Sequence, residues 1–212
     1  MKYHINNWRT AAVALLAALA TGAQAQVISW NLDRFGTIGA SDNAGVVLVN
    51  NWNNSWPSNP TVDLNDNSGA ATTLDLSYGS FNTWSIQGSG PSLDSDYVSL
   101  TQIPYAQYDI YVYFSSDAAD RPGYVTDGTT SYFFNTLGAS SIASGNALLI
   151  QTPETSNANH PFANYAVFSG LSGATQTITV QMEQNDYGAV SPASRLSLCR
   201  SRARWPWVRL VC

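Results

Sequence analysis

The sequence predicts an all-β fold, an antiparallel β-sandwich or jelly roll, for the body of this 212-residue chain. Three observations support this prediction. Several segments alternate apolar and polar residues with a period of two, which is typical of half-buried strands. Clusters of Gly, Asn, Asp, Ser and Pro separate these segments, as turns do in antiparallel sheets. In the body, apolar residues do not recur with the period of a helix, and Lys and Glu, which helices usually carry on their solvent-exposed faces, are rare.

Three segments show the alternation most clearly. In TLDLSY (73–78), YDIYVYF (108–114) and TITVQM (177–182), every second residue is a large apolar or aromatic one, so each segment predicts a strand with one buried face. Shorter apolar runs between turn-forming clusters predict further strands. In chain order, the predicted strands are 27–30, 45–49, 73–78, 108–114, 130–134, 147–151, 165–169 and 177–182.

Residues 1–25 have the three parts of a secretory signal peptide. A basic start precedes a small-apolar run over residues 11–20, and Ala23 and Ala25 fit the small-residue positions of an A-x-A cleavage site. The run is too short to span a bilayer, which takes about 20 apolar residues. The sequence therefore predicts a cleavable signal helix, removed after Ala25, and export of the remaining chain.

The body is strongly acidic. Between residues 26 and 194 it has two arginines, Arg34 and Arg121, against all fourteen acidic residues of the chain. This balance excludes the clustered basic surface that nucleic acid or an anionic membrane requires. The same region has no cysteine, so its stability must come from packing. Neutral polymers, cations and basic proteins are the partners that such a surface favours.

The last eighteen residues differ from the body, because they have five arginines, both cysteines and no acidic residue. Such a break indicates a change of reading frame. One choice of synonymous codons for residues 198–211 reads, in a shifted frame, as Val-Pro-Glu-Pro followed by an apolar stretch. The alternative is a genuine basic tail. We therefore divide the chain into a signal peptide (1–25), a β-sandwich domain (26–198) and an aberrant basic tail (199–212).

The shifted frame resembles the start of a PEP-CTERM sorting signal, in which Val-Pro-Glu-Pro precedes a short apolar helix and a basic stop. Body segments including SDNAGVVLVNNWNN, YDIYVYFSSD and NYAVFSGLSG are similar, in the same order, to segments of exported bacterial β-sandwich proteins that end in this signal. The resemblance covers most of residues 26–198. It implies sorting by an exosortase, membrane contact only through the signal and sorting segments, and a place at the cell surface or in an extracellular matrix rich in exopolysaccharide.

Aromatic residues in polar surroundings are the candidate ligand-binding residues. Trp52 and Trp56 lie in the polar segment NNWNNSW. Tyr111 and Tyr113 lie on the side of their predicted strand opposite Ile110. Flat rings stack on the apolar faces of sugars while nearby Asn and Asp side chains bond the hydroxyls, so these four residues are a candidate polysaccharide site. The alternative is that the tryptophans cover an open end of the core and the tyrosines lie under another segment.

The segment DLNDNSG is a candidate calcium loop. Asp63, Asn65 and Asn67 place oxygen ligands at alternate positions ahead of Gly69, as a calcium loop does. No bidentate Glu follows at the expected distance. The alternative is a strand end followed by an Asx turn, in which the side chains bond their own backbone.

The body offers few groups for catalysis. His160 is its only histidine, Glu154 and Glu183 are its only glutamates, and no nucleophile-elbow sequence accompanies them. Two aspartates could form a glycosidase pair, but spacing along the chain does not show one. The sequence therefore favours a protein that is not an enzyme.

Together these patterns predict an exported, non-enzymatic protein of the cell surface or extracellular matrix, with polysaccharide as its candidate ligand and no nucleic-acid partner. The sequence indicates no cofactor apart from the calcium considered above. Two alternatives stay open. One is a small jelly-roll carbohydrate-active enzyme, a glycoside hydrolase or lyase, and the other is a structural matrix protein with no ligand.

Overall fold

The computed structural model describes residues 26–32, 37–55, 58–79, 95–114, 119–138, 148–183 and 195–200. Every regular element in these ranges is a β-strand, which confirms the all-β prediction. The strands are β1 (Val27–Asn31), β2 (Asn53–Asn54), β3 (Asp75–Tyr78), β4 (Ser95–Thr101), β5 (Tyr108–Tyr113), β6 (Ala119–Thr126), β7 (Ser131–Leu137), β8 (Phe162–Ala163), β9 (Tyr165–Leu171), β10 (Gln176–Met182) and β11 (Arg195–Arg200).

The strands form two sheets. One has five strands in the order β2-β1-β11-β5-β9, and the other has six in the order β3-β4-β10-β6-β7-β8. Most neighbours are antiparallel, but β1 with β2 and β7 with β8 pair in parallel over two residues each. The purely antiparallel prediction therefore needs correction, because both sheets are mixed.

Six predicted strands are present, and two are not. The segment 45–49 is a turn closed by a bridge between Ala44 and Val49, and the segment 147–151 contributes only a bridge from Gln151 to Tyr165. The apolar run 45–49 forms a turn instead of a strand for two reasons. Gly45 has a φ of 86°, which is outside the range of a strand, and the backbone N–H of Val46 donates to the hydroxyl of the distant Tyr113 at 2.8 Å.

Three strands of six or more residues, β4, β6 and β11, were not predicted. β6 begins with the sequence ADRP, which is typical of a turn, and its pairing with β7 is irregular between Ala119 and Pro122. Proline is tolerated at such an irregularity because its missing N–H leaves no ladder bond unmade. In β4 only Val98 and Leu100 are apolar and inward, too few to give a clear period.

One hydrophobic cluster contains residues from both sheets. The alternate residues of the three clearest predicted strands all belong to it, as their patterns predict. Aromatic pairs join the two sheets inside the cluster: the rings of Phe114 and Phe134 stack at 3.8 Å, and those of Tyr132 and Phe168 meet at 5.1 Å. Because the body has no cysteine and so no disulfide, the packing of this cluster is what stabilises the fold.

A second, smaller cluster lies on the other side of the five-stranded sheet. It contains Val27, Ile38, Ala44, Val49, Trp52 and Tyr113. All five residues of β1 are buried, since the main cluster covers one of its faces and the segment around residues 38–52 covers the other.

Strand β11 occupies the middle of the five-stranded sheet. It pairs with β1 from Val27 opposite Cys199 to Asn31 opposite Arg195, and with β5 from Tyr108 opposite Arg200. The strand thus extends two residues past the predicted domain end at residue 198. The proposed signal peptide and most of the basic tail lie outside the described residues. The described residues contain no helix that is long and apolar enough to span a membrane.

Candidate functional site

The outward side of the six-stranded sheet is the candidate functional site, and we call it the outer face. Its side chains alternate with those that enter the main cluster, so they share one surface. Its residues are Asp75, Ser77, Tyr97, Ser99, Thr101, Tyr124, Thr126, Ser131, Phe133, Asn135, Phe162, Thr177, Thr179 and Gln181.

Two exposed aromatic rings lie near opposite sides of the outer face. Tyr97, on β4, is 46% exposed, and Phe162, on β8, is 50% exposed. The Tyr97 ring lies over Gly79, where an added Cβ would come within 2.4 Å of a ring carbon. Because glycine at position 79 has no side chain, the Tyr97 ring can lie close to the backbone at the end of β3.

Two more aromatic rings lie between these edges. Tyr124 on β6 and Phe133 on β7 are cross-strand partners whose ring centres are 5.6 Å apart. The Tyr124 hydroxyl donates to the side-chain oxygen of Gln181 at 2.6 Å. That bond orients the Gln181 amide, so its NH₂ group is the part that can donate to a ligand.

An imidazole and a carboxylate border these central rings. His160 meets the Phe133 ring edge-on at 5.5 Å, and its Nε2 atom lies 2.8 Å from Oε2 of Glu183. The carboxylate oxygen lies close to Nε2 but is not aligned as a hydrogen-bond acceptor. Both side chains are partly exposed, so the pair forms one border of the outer face.

Hydroxyl groups line the floor between the aromatic rings. Thr179 on β10 lies opposite both Tyr97 and Thr126, and the Ser99 and Thr177 hydroxyls are 3.4 Å apart. The described strands of this sheet contain no lysine and one arginine, Arg121, which is partly buried at the irregular start of β6. Apart from Asp75 on the edge strand β3, the outer face therefore combines apolar rings with uncharged donors and acceptors, which is the chemistry that sugar recognition uses.

The aromatic residues that the sequence singled out lie elsewhere. Trp52 is 4% exposed and Tyr113 is completely buried, and both belong to the smaller cluster, against which the partly buried Tyr111 packs. The Trp52 indole donates to the Val49 carbonyl oxygen at 3.0 Å. Trp52 and Tyr113 are buried in this cluster, so their rings have no open face for stacking. Trp56 lies outside the described residues.

The asparagines of the same segment bond the backbone. Asn53 donates to the carbonyl of Asn65 and accepts from its N–H, and Asn54 does the same with Ile38. Asn59 bonds both backbone groups of Tyr78 in this way. Each side-chain amide thus replaces a strand partner, which is why an Asn-rich segment is ordered here.

The candidate calcium segment is also held by internal bonds. The side-chain oxygen of Asn67 accepts from the N–H of Val27, the backbone of Asn65 pairs with Asn53, and Asp63 is exposed with its N–H donating to Asp75. The described residues contain no group of three or more acidic, histidine or cysteine side chains placed to hold a metal ion.

The buried carboxylate of this segment is Asp66, between the candidate ligands. It accepts from the backbone N–H groups of Ser68 and Ala70, the Ser68 hydroxyl and the side chain of Gln26. Burial alone would raise the pKa of Asp66, but these hydrogen bonds favour the charged form and lower its pKa below the ordinary value of 3.8. The arrangement is an Asx turn.

Sequence reasoning missed the outer face because its aromatic residues come from four strands far apart in the chain. A partial signal was present in TSYFF, where Phe133 alternates with inward Tyr132 and Phe134 and therefore must face outward. His160 and Glu183 were noted singly, and the fold brings them together.

No protein-family model, curated protein or solved structure matches the chain significantly.

Proposed function

We propose that the protein is exported and acts at the bacterial cell surface or in the extracellular matrix, as a non-enzymatic β-sandwich that binds polysaccharide through its outer face. The observation that carries the proposal is the group of aromatic rings, Tyr97, Tyr124, Phe133 and Phe162, set among uncharged hydroxyl and amide groups on one side of a sheet. Rings of this kind stack on sugars, and the polar groups select their hydroxyls.

The other parts of the proposal have their own support. The basic, apolar and small-residue order of residues 1–25 supports export, and the resemblance to PEP-CTERM proteins supports surface sorting. The sharing of one hydrophobic cluster by both sheets supports the face-to-face sandwich.

Affinity electrophoresis of the full chain in gels containing different polysaccharides tests the binding function. We expect at least one polymer to retard the protein, and Tyr97→Ala and Tyr124→Ala to weaken the retardation. Leu48→Ala is the control, because Leu48 is 66% exposed in the turn that covers the opposite sheet. A chain that no polymer retards would be better described as a structural matrix protein without a ligand.

A carbohydrate-active enzyme is the second candidate function, and one observation favours it. His160 and Glu183 approach to 2.8 Å beside the same aromatic rings, so an imidazole and a carboxylate border the proposed sugar site. A glycoside hydrolase would release reducing ends and a lyase would release unsaturated ends. Release of either that is abolished by His160→Ala would establish the enzyme, whereas binding without release supports the non-enzymatic function.

A further inference from the structure

We infer that the outer face binds an internal stretch of an uncharged polysaccharide, with the polymer lying across the strands from Tyr97 towards Phe162. This inference rests on the proposed function and adds the class of ligand and the way it lies. Three properties of the outer face carry it: the spread of its rings, its charge and the position of its hydroxyl groups.

The rings are too far apart for one sugar to contact them all. Tyr97 is on β4 and Phe162 on β8, and strands β10, β6 and β7 lie between them. Neighbouring strands are about 4.8 Å apart, so the two rings are separated by roughly 19 Å across the sheet. Tyr124 and Phe133 lie within this interval. A ligand that uses all four rings must therefore contain several sugar units.

Both sides of the outer face are open to a long ligand. The rings nearest the two sides, Tyr97 and Phe162, are also the most exposed ones, at 46% and 50%. A site for a chain end or a single sugar would instead enclose its ligand in a pocket. The open arrangement fits a polymer that enters on one side and leaves on the other.

The charge of the outer face favours an uncharged polymer. The described strands of this sheet contain no lysine and one arginine, Arg121, which is partly buried at the irregular start of β6, while Asp75 lies beside Ser77 on β3 and Glu183 borders the central rings. The carboxylates of a uronic-acid polymer would be repelled by these acidic groups. The excess of acidic over basic residues in the whole body also disfavours an anionic polymer.

The hydroxyl groups lie where such a polymer would pass. Thr179 and Thr126 follow Tyr97 in one cross-strand row, and Gln181 precedes Tyr124 and Phe133 in the next. Tyr97 and Tyr124 thus each have a hydrogen-bonding side chain beside them on the neighbouring strand, and Phe162 lies opposite Asn135. A sugar stacked on one of these rings has donors or acceptors within reach of its hydroxyls.

Affinity electrophoresis with two sets of polymers tests the inference. The uncharged set is hydroxyethylcellulose, xyloglucan, galactomannan and laminarin, and the anionic set is alginate and polygalacturonate. We expect the full chain to be retarded by at least one uncharged polymer and by neither anionic one. Tyr97→Ala and Phe162→Ala should each raise the dissociation constant roughly tenfold, as the loss of one stacked ring does, while Leu48→Ala leaves it unchanged. Because all three side chains are exposed, thermal unfolding curves should be the same for every variant.

Competition then separates a polymer site from a single-sugar site. Oligosaccharides from the bound polymer should compete more strongly as their length increases, and its monosaccharide should not compete. Equal competition by the monosaccharide, retardation by alginate through the same rings, or binding that neither aromatic substitution weakens would each overturn the inference but leave polysaccharide binding in place. Retardation by no polymer in either set would overturn the inference together with the proposed function.

Discussion

Single asparagine side chains act as backbone partners in this protein, and Asn54 does so most completely. Its amide donates to the carbonyls of Ile38 and Trp52 and accepts from the N–H of Ile38 and the side chain of Asn31. The four bonds hold the segment that covers the five-stranded sheet. A change that keeps the shape of Asn54 and removes its donors should therefore loosen the smaller hydrophobic cluster.

Asn54→Asp makes that change. The carboxylate would face the carbonyls of Ile38 and Trp52, so we expect the free energy of unfolding to fall by about 1–3 kcal/mol, as when buried acceptors lose their donor. Urea unfolding at neutral pH measures it. Asn159→Asp, at an exposed position, adds the same charge and should change the stability little. Equal losses for the two variants would show that charge, and not bonding, is responsible.

Asp66 gives the protein a pH-dependent stability at low pH. Hydrogen bonds lower its pKa in the folded state below 3.8, so its contribution is present above that value and is lost as the pH falls through the folded pKa. Asp66→Asn should be less stable at neutral pH, and the difference from the wild type should shrink as the pH falls below about 4. Chemical unfolding at several pH values measures it, and a difference that stays constant with pH would contradict the assignment.

At the scale of strands, local alternation predicted which residues face inward, because it is a property of neighbouring residues. Leu76, Ile110 and Ile178, which alternation predicts to face inward, all lie in the main cluster. Alternation also placed Tyr111 and Tyr113 on the other side of their strand. It could not show that a distant segment covers them, because that depends on contacts between residues far apart in the chain.

The outer face shows the same limit of sequence reasoning. Tyr97 and Phe162 are 65 positions apart in the sequence and share a surface only because the strand order places β4 and β8 in one sheet. No spacing along the chain encodes that order. The sequence prediction and the proposed site therefore share one kind of chemistry, rings among polar groups, but place it at different residues.

Strand β11 should be essential to the five-stranded sheet. Removing residues 195–212 would take away the strand between β1 and β5 and leave their facing backbone groups unpaired. We expect this chain to lose its cooperative thermal unfolding transition, measured by circular dichroism. Removing only residues 201–212 keeps every described strand pair and should keep the transition. Identical melting of the two shortened chains would contradict the placement of β11.

At the scale of the whole molecule, the basic ending bears on the export that we propose. We propose that it is a sorting signal read in the wrong frame. Resequencing the gene across the codons for residues 197–204 should then find an inserted or missing base, with Pro-Glu-Pro and an apolar segment in the corrected frame. Such a segment would hold the protein at the membrane until it is sorted. An intact gene, with a peptide containing Trp205 and Trp207 detected by mass spectrometry, would contradict the proposal.

The central claim is that the outer face binds polysaccharide, and nuclear magnetic resonance tests it most directly. An isotope-labelled full chain would be titrated with oligosaccharides of the uncharged polymer that retards it most in electrophoresis. We expect the amide signals that shift to cluster at the outer face, including those of Tyr97, Thr179 and Tyr124, with little change around Trp52. Shifts confined to the segment around residues 38–52, with none on strands β4, β6 and β10, would contradict the claim.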